Sequence, residues 1–349
     1  MTLHANLDEK QSKALDELKD VLEKSGDYNP GREGSKPSHS DATLIRFLRA
    51  RRYSPTDAAQ HFRNVEKWRT EHDVDNLYRA GFDVQEFEEM KTFYPRWTGR
   101  RDKRGLPLYV YQLSSLTPDV MKKLSSVPSE RRYQRIVALY EYMLNFAFAT
   151  CTALPPPESN SDSVLPSHIA QATNIIDMQN TSLKQLFHFR AHLQEASTLA
   201  TANYPETLGT IFVVGAPGWW STVWGWVKGW FDEQTRAKIH ILPNPLPQDS
   251  ELLESIPASS LPKQYGGQLA WEYGVDPFLD EPETELLRSA GMAADEKFVT
   301  GPISLKPKEG GGWVLESPRN LALRRANMCV PHMMRVCGGV VMAITFRNS

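Results

Sequence analysis

Four arginines, Arg46, Arg49, Arg51 and Arg52, fall within seven residues at the end of an apolar segment. Guanidinium forks match phosphate oxygens, so such a cluster can bind a phosphate or an anionic lipid. The competing reading is local, because cations at a helix C-terminus stabilise its dipole by ~0.3–1 kcal/mol. A second basic stretch, Arg96 to Arg104, reads either as another anion patch or as a solvated loop. His188 and His192 stand i, i+4, a spacing that can hold a metal, but only Glu195 is near as a third ligand. Ordinary helix histidines are the better reading, and no metal or cofactor is expected. Gly215-Ala-Pro-Gly218 follows a strand pattern, yet its proline removes a donor and no Lys-Ser/Thr follows. A nucleotide site is therefore not expected there, and the familiar nucleotide, zinc-protease and hydrolase motifs are absent.

Five of the nine tryptophans, Trp219, Trp220, Trp224, Trp226 and Trp230, lie within twelve residues. On a helix, Trp219, Trp226 and Trp230 share one face and Trp220 and Trp224 share another. A helix apolar on more than one face is fully buried or touches lipid. Tryptophan suits a membrane interface, where its ring is apolar and its N–H is wet.

The elements that must hold these residues change character along the chain. Residues 1–80 read as wholly helical. Helices are expected over 7–24, from Ser40 or Asp41 onward, and from Pro55 after a Ser54 cap. Short apolar strands are expected at 105–113, 173–178, 210–215 and 238–242, alternating with helices near 129–151, 181–203, 219–231 and 247–255. Alternation of this kind predicts βαβ units and a largely parallel sheet. Residues 153–167, with four prolines, read as a surface insertion. Acidic residues cluster at 276–285, and Gly310 to Gly312 read as a linker. From Pro318 to Ser349 there are five arginines, no acidic residue and no periodic core pattern. The expectation is a disordered tail over 276–349, functional or a gene-model artefact.

The 349 residues carry 40 Lys+Arg against 42 Asp+Glu, a net charge of −2 that argues against a dedicated nucleic-acid binder. Three cysteines are too few for a disulfide framework. No secretory leader is read at the N-terminus, and no run approaches 18 apolar residues, so a soluble intracellular protein is expected.

Several fragments, in order, resemble the Sec14-like, or CRAL-TRIO, lipid-transfer family of the fungal phosphatidylinositol-transfer type. They include Thr43-Leu-Ile-Arg-Phe-Leu-Arg-Ala-Arg-Arg-Tyr53, Glu66-Lys-Trp-Arg69 and Asp102-Lys-Arg-Gly-Leu-Pro-Leu-Tyr109. Further along stand Ile176-Asp177, Asn203-Tyr-Pro-Glu-Thr-Leu-Gly209, Ala216-Pro217, Lys238-Ile-His-Ile-Leu242 and Leu261-Pro-Lys-Gln-Tyr-Gly-Gly267. The resemblance implies an α/β fold. A helical N-terminal subdomain, 1–80, packs on a lipid-binding domain, 81–275. A mostly parallel sheet there floors an apolar cavity closed by a gate helix, which the Trp-rich segment matches.

Carried over by position, the phosphatidylinositol headgroup set falls on Arg51, Arg52, Glu206, Thr235 and Lys238. A plain Glu206–Lys238 salt bridge is the structural alternative. Tyr109 matches a cavity tyrosine, and Tyr111 is expected beside it. Where the family's phosphatidylcholine site uses Ser and Thr, this chain has Ala172 and Asn174. Loss of both hydroxyls predicts that phosphatidylinositol is exchanged for another apolar ligand, such as a sterol. The resemblance also implies transient contact with Golgi, endosomal or other intracellular membranes, presentation of lipid to an inositol-lipid kinase, and no enzymatic activity. The alternatives are a carrier for a different hydrophobic molecule and a signalling adaptor with a vestigial cavity.

Overall fold

The computed structural model describes residues 7–31, 35–155, 168–230 and 233–317. A capping box between Asp8 and Gln11 starts α1 (Glu9–Ser25). The Ser40 hydroxyl accepts from the Thr43 amide and starts α2 (Asp41–Ala50). Pro55 opens α3 (Pro55–Glu71); Ser54 makes no side-chain cap there, and the preset proline φ suffices. Leu15, Leu18, Leu22, Leu44, Leu48 and Phe62 close these three helices over their own core. Two further helices, α4 (Val74–Ala80) and α5 (Val84–Met90), lead into the sheet.

That sheet has five strands in unbroken order: β1 (Arg96–Arg101), β2 (Pro107–Gln112), β3 (Ala172–Asp177), β4 (Leu208–Val214) and β5 (Ile239–Ile241). Strand β1 runs antiparallel to β2, and the other pairs are parallel. The connections are α6 (Pro118–Ser126), α7 (Ser129–Tyr142), α8 (Ala149–Ala153), α9 (Leu183–Asn203), α10 (Trp220–Val227) and α11 (Glu233–Ala237). A π-turn, Met143–Phe148, joins α7 to α8 without a break. The resulting Ser129–Ala153 helix is long and apolar enough to cross a membrane, but 61% of its apolar window is buried inside this fold.

With right-handed crossovers, an unbroken parallel order sends every connecting helix to the same face. Alternation along the strands shows the consequence. Tyr111, Ile211 and Val213 pack toward Ile136, Leu186 and Trp220. Leu108, Val110, Ile175, Phe212 and Val214 pack on the other side against Leu252, Leu261, Tyr265 and Trp271, around α12 (Glu251–Ser255).

Two expectations require correction. The tail is not disordered from residue 276: it forms α13 (Glu281–Ala290) and a hairpin of β6 (Ser304–Pro307) and β7 (Trp313–Glu316). Gly310 to Gly312 lie in that hairpin's loop, each with positive φ, and are not a linker. Leu287, Phe298, Val299, Ile303, Leu305 and Leu315 enter one core with Trp97, Tyr142 and Phe146. Residues 318–349, and 156–167 of the expected insertion, lie outside the described set.

The second correction concerns the Arg96–Arg104 stretch, which is neither a solvated loop nor an open anion patch. Most of it is strand β1, and its cations hold the acidic segment that follows residue 275. Arg96 donates to the Val275 carbonyl (3.0 Å), Arg100 meets Asp280 (3.2 Å), and Arg101 meets Glu283 (2.7 Å). Arg104 turns back on the buried Asp102 (2.9 Å). Gly99 makes the docking possible, because a Cβ there would stand 2.7 Å from the Phe278 amide nitrogen.

Candidate functional site

A cavity of about 570 Å³ lies between the sheet and its covering helices. Its floor follows the strand register, with Tyr109 opposite Asn174 and Asn174 opposite Ile211, then Tyr111 opposite Ile176 and Ile176 opposite Val213. Small residues on α9, Ala196, Ser197, Ala200 and Thr201, leave the space open. Helix α7 contributes Ile136, Leu139 and Tyr140.

One end of the cavity is charged. Arg51, Arg52, Glu206, Thr235 and Lys238 all line it, although they come from three separate segments. Arg51 caps α2, and Arg52 follows with a positive φ of 50°. Glu206 precedes β4 and also holds a positive φ, 58°. Such backbone costs ~1–3 kcal/mol for a non-glycine residue and persists only where its surroundings enforce it.

The surroundings of Glu206 do so. Half-buried Arg46 donates to the Pro205 carbonyl (3.1 Å), and Thr207 donates back to the Tyr204 carbonyl (3.1 Å). Burial lowers Arg46 to about 10, so it stays cationic at neutral pH. Tyr204 is anchored by donating to Glu141 (2.8 Å), a carboxylate also held by Arg69 (2.7 Å). Tyr204 stacks on Tyr140 at 4.6 Å. The Lys238 ammonium donates to Glu206 (3.0 Å) and to the Leu208 carbonyl (3.0 Å). Arg52 stands 3.6 Å from Glu233, and both side chains are exposed.

The four-arginine cluster thus divides. Arg46 supports backbone and Arg49 donates to the Tyr53 hydroxyl (3.4 Å). Arg51 donates to its neighbouring Ala50 carbonyl (2.9 Å), and only Arg51 and Arg52 of the four reach the cavity.

The body of the cavity is uncharged. Burial holds the Tyr94, Tyr109 and Tyr111 hydroxyls above their ordinary range and pushes Tyr140 up to about 12. It also pulls His192 down to about 4. A Born penalty of this kind favours neutral forms and suits apolar content.

Of the tryptophans, Trp220 and Trp224 line the cavity on one face of α10, with ring centroids 5.8 Å apart. Trp219 is half-buried against the same core but does not line the space. The side chains of Trp226, Trp230 and His188 lie outside the described set. Ala172 is fully buried in the neighbouring core and is also not a lining residue, so of the two substituted positions only Asn174 meets the cavity. Among the described residues no group of three His, Cys, Asp or Glu could hold a metal.

Tyr94, His192, Tyr204 and Glu233 also line the space and were not foreseen as lining. The run of small residues along α9 was the available signal for His192 and Tyr204.

Comparison with known proteins places this geometry. Residues 89–267 match the CRAL/TRIO domain, and residues 14–64 match the CRAL/TRIO N-terminal domain. The SEC14 cytosolic factor of Candida glabrata is 31% identical over 75% of this chain and 80% of its own. A phosphatidylinositol/phosphatidylcholine transfer protein of Arabidopsis thaliana, SFH7, is 32% identical over 66% of this chain and 40% of its own. The solved structure of Sfh5 shares the fold, with a TM-score of 0.54 at 16% identity over 80% of this chain and 96% of its own.

Proposed function

The chain belongs to the CRAL/TRIO family, beside the fungal SEC14 cytosolic factors, and from that premise we propose that it carries phosphatidylinositol between membranes. The observation that carries the reading is one cavity with a charged mouth and an uncharged body. The body takes acyl chains. At the mouth Arg51, Arg52 and Lys238 neutralise phosphate, while Glu206 and Thr235 hydrogen-bond the inositol hydroxyls.

Enclosure follows from the energetics. Two acyl chains hold about thirty methylenes at ~0.8 kcal/mol each, so exposing them costs on the order of 25 kcal/mol. A carrier therefore encloses its lipid and opens only at a membrane. The α10 segment, with Trp220 and Trp224 on the cavity, is the gate in this reading.

Phosphatidylinositol is exchanged for a second apolar ligand, and phosphatidylcholine is carried poorly because Asn174 replaces a hydroxyl residue. The loaded protein works in the cytosol, as its relatives' names suggest, visits Golgi or endosomal membranes, and presents lipid to an inositol-lipid kinase. It transfers lipid without changing it, in keeping with the transfer-protein name of SFH7. The open cavity favours a carrier over an adaptor with a vestigial site.

The test is transfer of labelled phosphatidylinositol between liposomes. The Arg52→Ala/Lys238→Ala double variant should lose transfer while keeping its wild-type circular dichroism. Undiminished transfer refutes the headgroup assignment. Robust phosphatidylcholine transfer by the wild type refutes the proposed ligand preference.

A further inference from the structure

The turn from α9 into β4 carries Glu206, and it is gripped from outside the cavity. His61 on α3 donates from Nε2 to the Ala202 carbonyl (2.8 Å). Ala202 lies in the last turn of α9, where helix carbonyls have no donor of their own helix. Arg46 on α2 donates to the Pro205 carbonyl (3.1 Å). Trp68 on α3 meets the Tyr204 ring edge-on, with centroids 5.9 Å apart. On the far side of the turn, the Ala172 amide donates to the Thr207 carbonyl (2.9 Å) and ties it to β3. Glu206 is thus a single residue between fixed neighbours, held at a φ of 58°.

One of these grips ends on a buried carboxylate. Glu141 on α7 is 3% exposed and is not a lining residue of the cavity. Its Oε1 accepts from Arg69 on α3 (2.7 Å) and from the Tyr204 hydroxyl (2.8 Å). Its Oε2 accepts from the other Arg69 nitrogen (3.3 Å) and from Asn145 (3.1 Å). The charge is therefore paired by a guanidinium fork and its remaining lone pairs are used, as a buried ion requires. Tyr204 joins this cluster to the ligand space. Its ring lines the cavity, stacked on the lining Tyr140, while its hydroxyl is taken by Glu141.

We propose that Glu141 is a positioning residue for headgroup recognition: by holding the Tyr204 hydroxyl, it fixes the turn that aims the Glu206 carboxylate at the inositol hydroxyls. It touches no ligand and acts through Tyr204, two residues before Glu206. A binding group works only when its support holds it within ~0.5 Å of the productive geometry. Arg69 sets the Glu141 carboxylate, so the N-terminal helices reach the headgroup through it as well as through Arg46. Acyl chains make no use of Glu206, so the device acts on headgroup recognition alone. The inference rests on the phosphatidylinositol-carrier reading above and deepens it.

The experiment measures binding of two probes to the full chain: phosphatidylinositol, and diacylglycerol with the same acyl chains but neither phosphate nor inositol. Tyr204→Phe keeps the ring on Tyr140 and removes only the bond to Glu141. It should bind phosphatidylinositol about tenfold more weakly and diacylglycerol as well as the wild type does. Glu141→Ala should lose at least as much preference for phosphatidylinositol. Glu141→Gln, whose amide oxygen can still accept from Tyr204, should restore part of it. If Glu141→Ala does not fold, Tyr204→Phe decides the matter. A purely structural carboxylate predicts that both probes weaken together or that neither does, and either result overturns the inference. A wild type that prefers phosphatidylinositol, beside a Tyr204→Phe variant with the same preference, overturns this inference and leaves the carrier reading standing. A wild type that binds diacylglycerol as tightly as phosphatidylinositol removes the headgroup reading itself, and this inference with it.

Discussion

Replacing Glu283 by Gln should cost this protein a large share of its stability. Glu283 is fully buried, and its partner Arg101 is 6% exposed, with 2.7 Å between Nε and Oε1. Removing the carboxylate leaves the guanidinium charge buried beside the Pro155 carbonyl, 2.7 Å from Nη1. Breaking a buried pair in this way costs ~3–5 kcal/mol. Whole domains are stable by only about 5–15 kcal/mol.

The geometry adds a second expectation. Among the described residues neither carboxylate oxygen of Glu283 has a hydrogen-bond partner, so the short contact is ionic and off the N–H axis. A misaligned pair recovers little of its desolvation. Arg101→Met/Glu283→Met should therefore be at least as stable as the wild type, although each single variant is much weaker. Urea unfolding followed by tryptophan fluorescence reads the wild type, Glu283→Gln, the two single Met variants and the double Met variant. The Glu283→Gln deficit should persist at about 1 M salt, because buried pairs escape screening. A deficit under about 1 kcal/mol, the worth of an exposed pair, would refute the reasoning. So would a double variant as weak as the single ones.

Burial pulls His192 down to about 4, against about 6.5 in the unfolded chain. The folded state therefore prefers the neutral ring. Its contribution is complete above pH ~6.5 and is lost as pH falls toward 4, at most about 3 kcal/mol and less for a half-buried ring. His61 and His168 are lowered by burial and act in the same direction. His192→Gln should lose less stability between pH 7 and pH 5 than the wild type, and an equal loss would refute the assignment. Cys151 is buried, with its thiol pushed up to about 12, so native protein at pH 8 should show no iodoacetamide adduct on its peptide. Labelling at the rate of the urea-unfolded chain would contradict that burial. Gly267→Ala would place a Cβ 1.9 Å from the Leu261 carbonyl oxygen, so the backbone must shift. A loss above about 2 kcal/mol is expected in the same urea assay, and a neutral effect would show that the loop is not close-packed.

Local pattern carried β2, β3 and β4, because each is a short apolar run bounded by turn residues and faces packing on both sides. It carried the Ser40 cap and the shared face of Trp220 and Trp224 for the same reason: each depends on residues a few positions apart. It did not carry β1. Arg96, Arg100 and Arg101 read as solvated because their partners, from Val275 to Glu283, lie some 180 residues away. Nor did it carry the ordering of the chain after 276, since an acidic segment looks disordered until the basic strand that receives it is placed beside it. Tyr94 was equally hidden: nothing near it in sequence says that it lines the cavity, and only the assembled fold does.

The net charge of −2 takes on a different meaning once the pairs are known. The charges that cancel in that total include opposite pairs remote in sequence that the fold brings together: Arg101 with Glu283, Arg52 with Glu233, Lys238 with Glu206. These pairs differ in kind. Arg101–Glu283 is sealed, so neither charge can lose its partner without a large cost. Arg52–Glu233 is exposed on both sides, so water screens it and little free energy opposes its opening. Lys238–Glu206 lies between these extremes, at 22% and 14% exposure, with the Leu208 carbonyl as a second acceptor for the ammonium. A phosphate arriving at the mouth would draw Arg52 from its partner at little cost. Lys238 can join it while keeping its backbone contact, which leaves the Glu206 carboxylate to accept from a polyol. The same physics that makes one ion pair structural makes the other two exchangeable, and burial is the quantity that separates them.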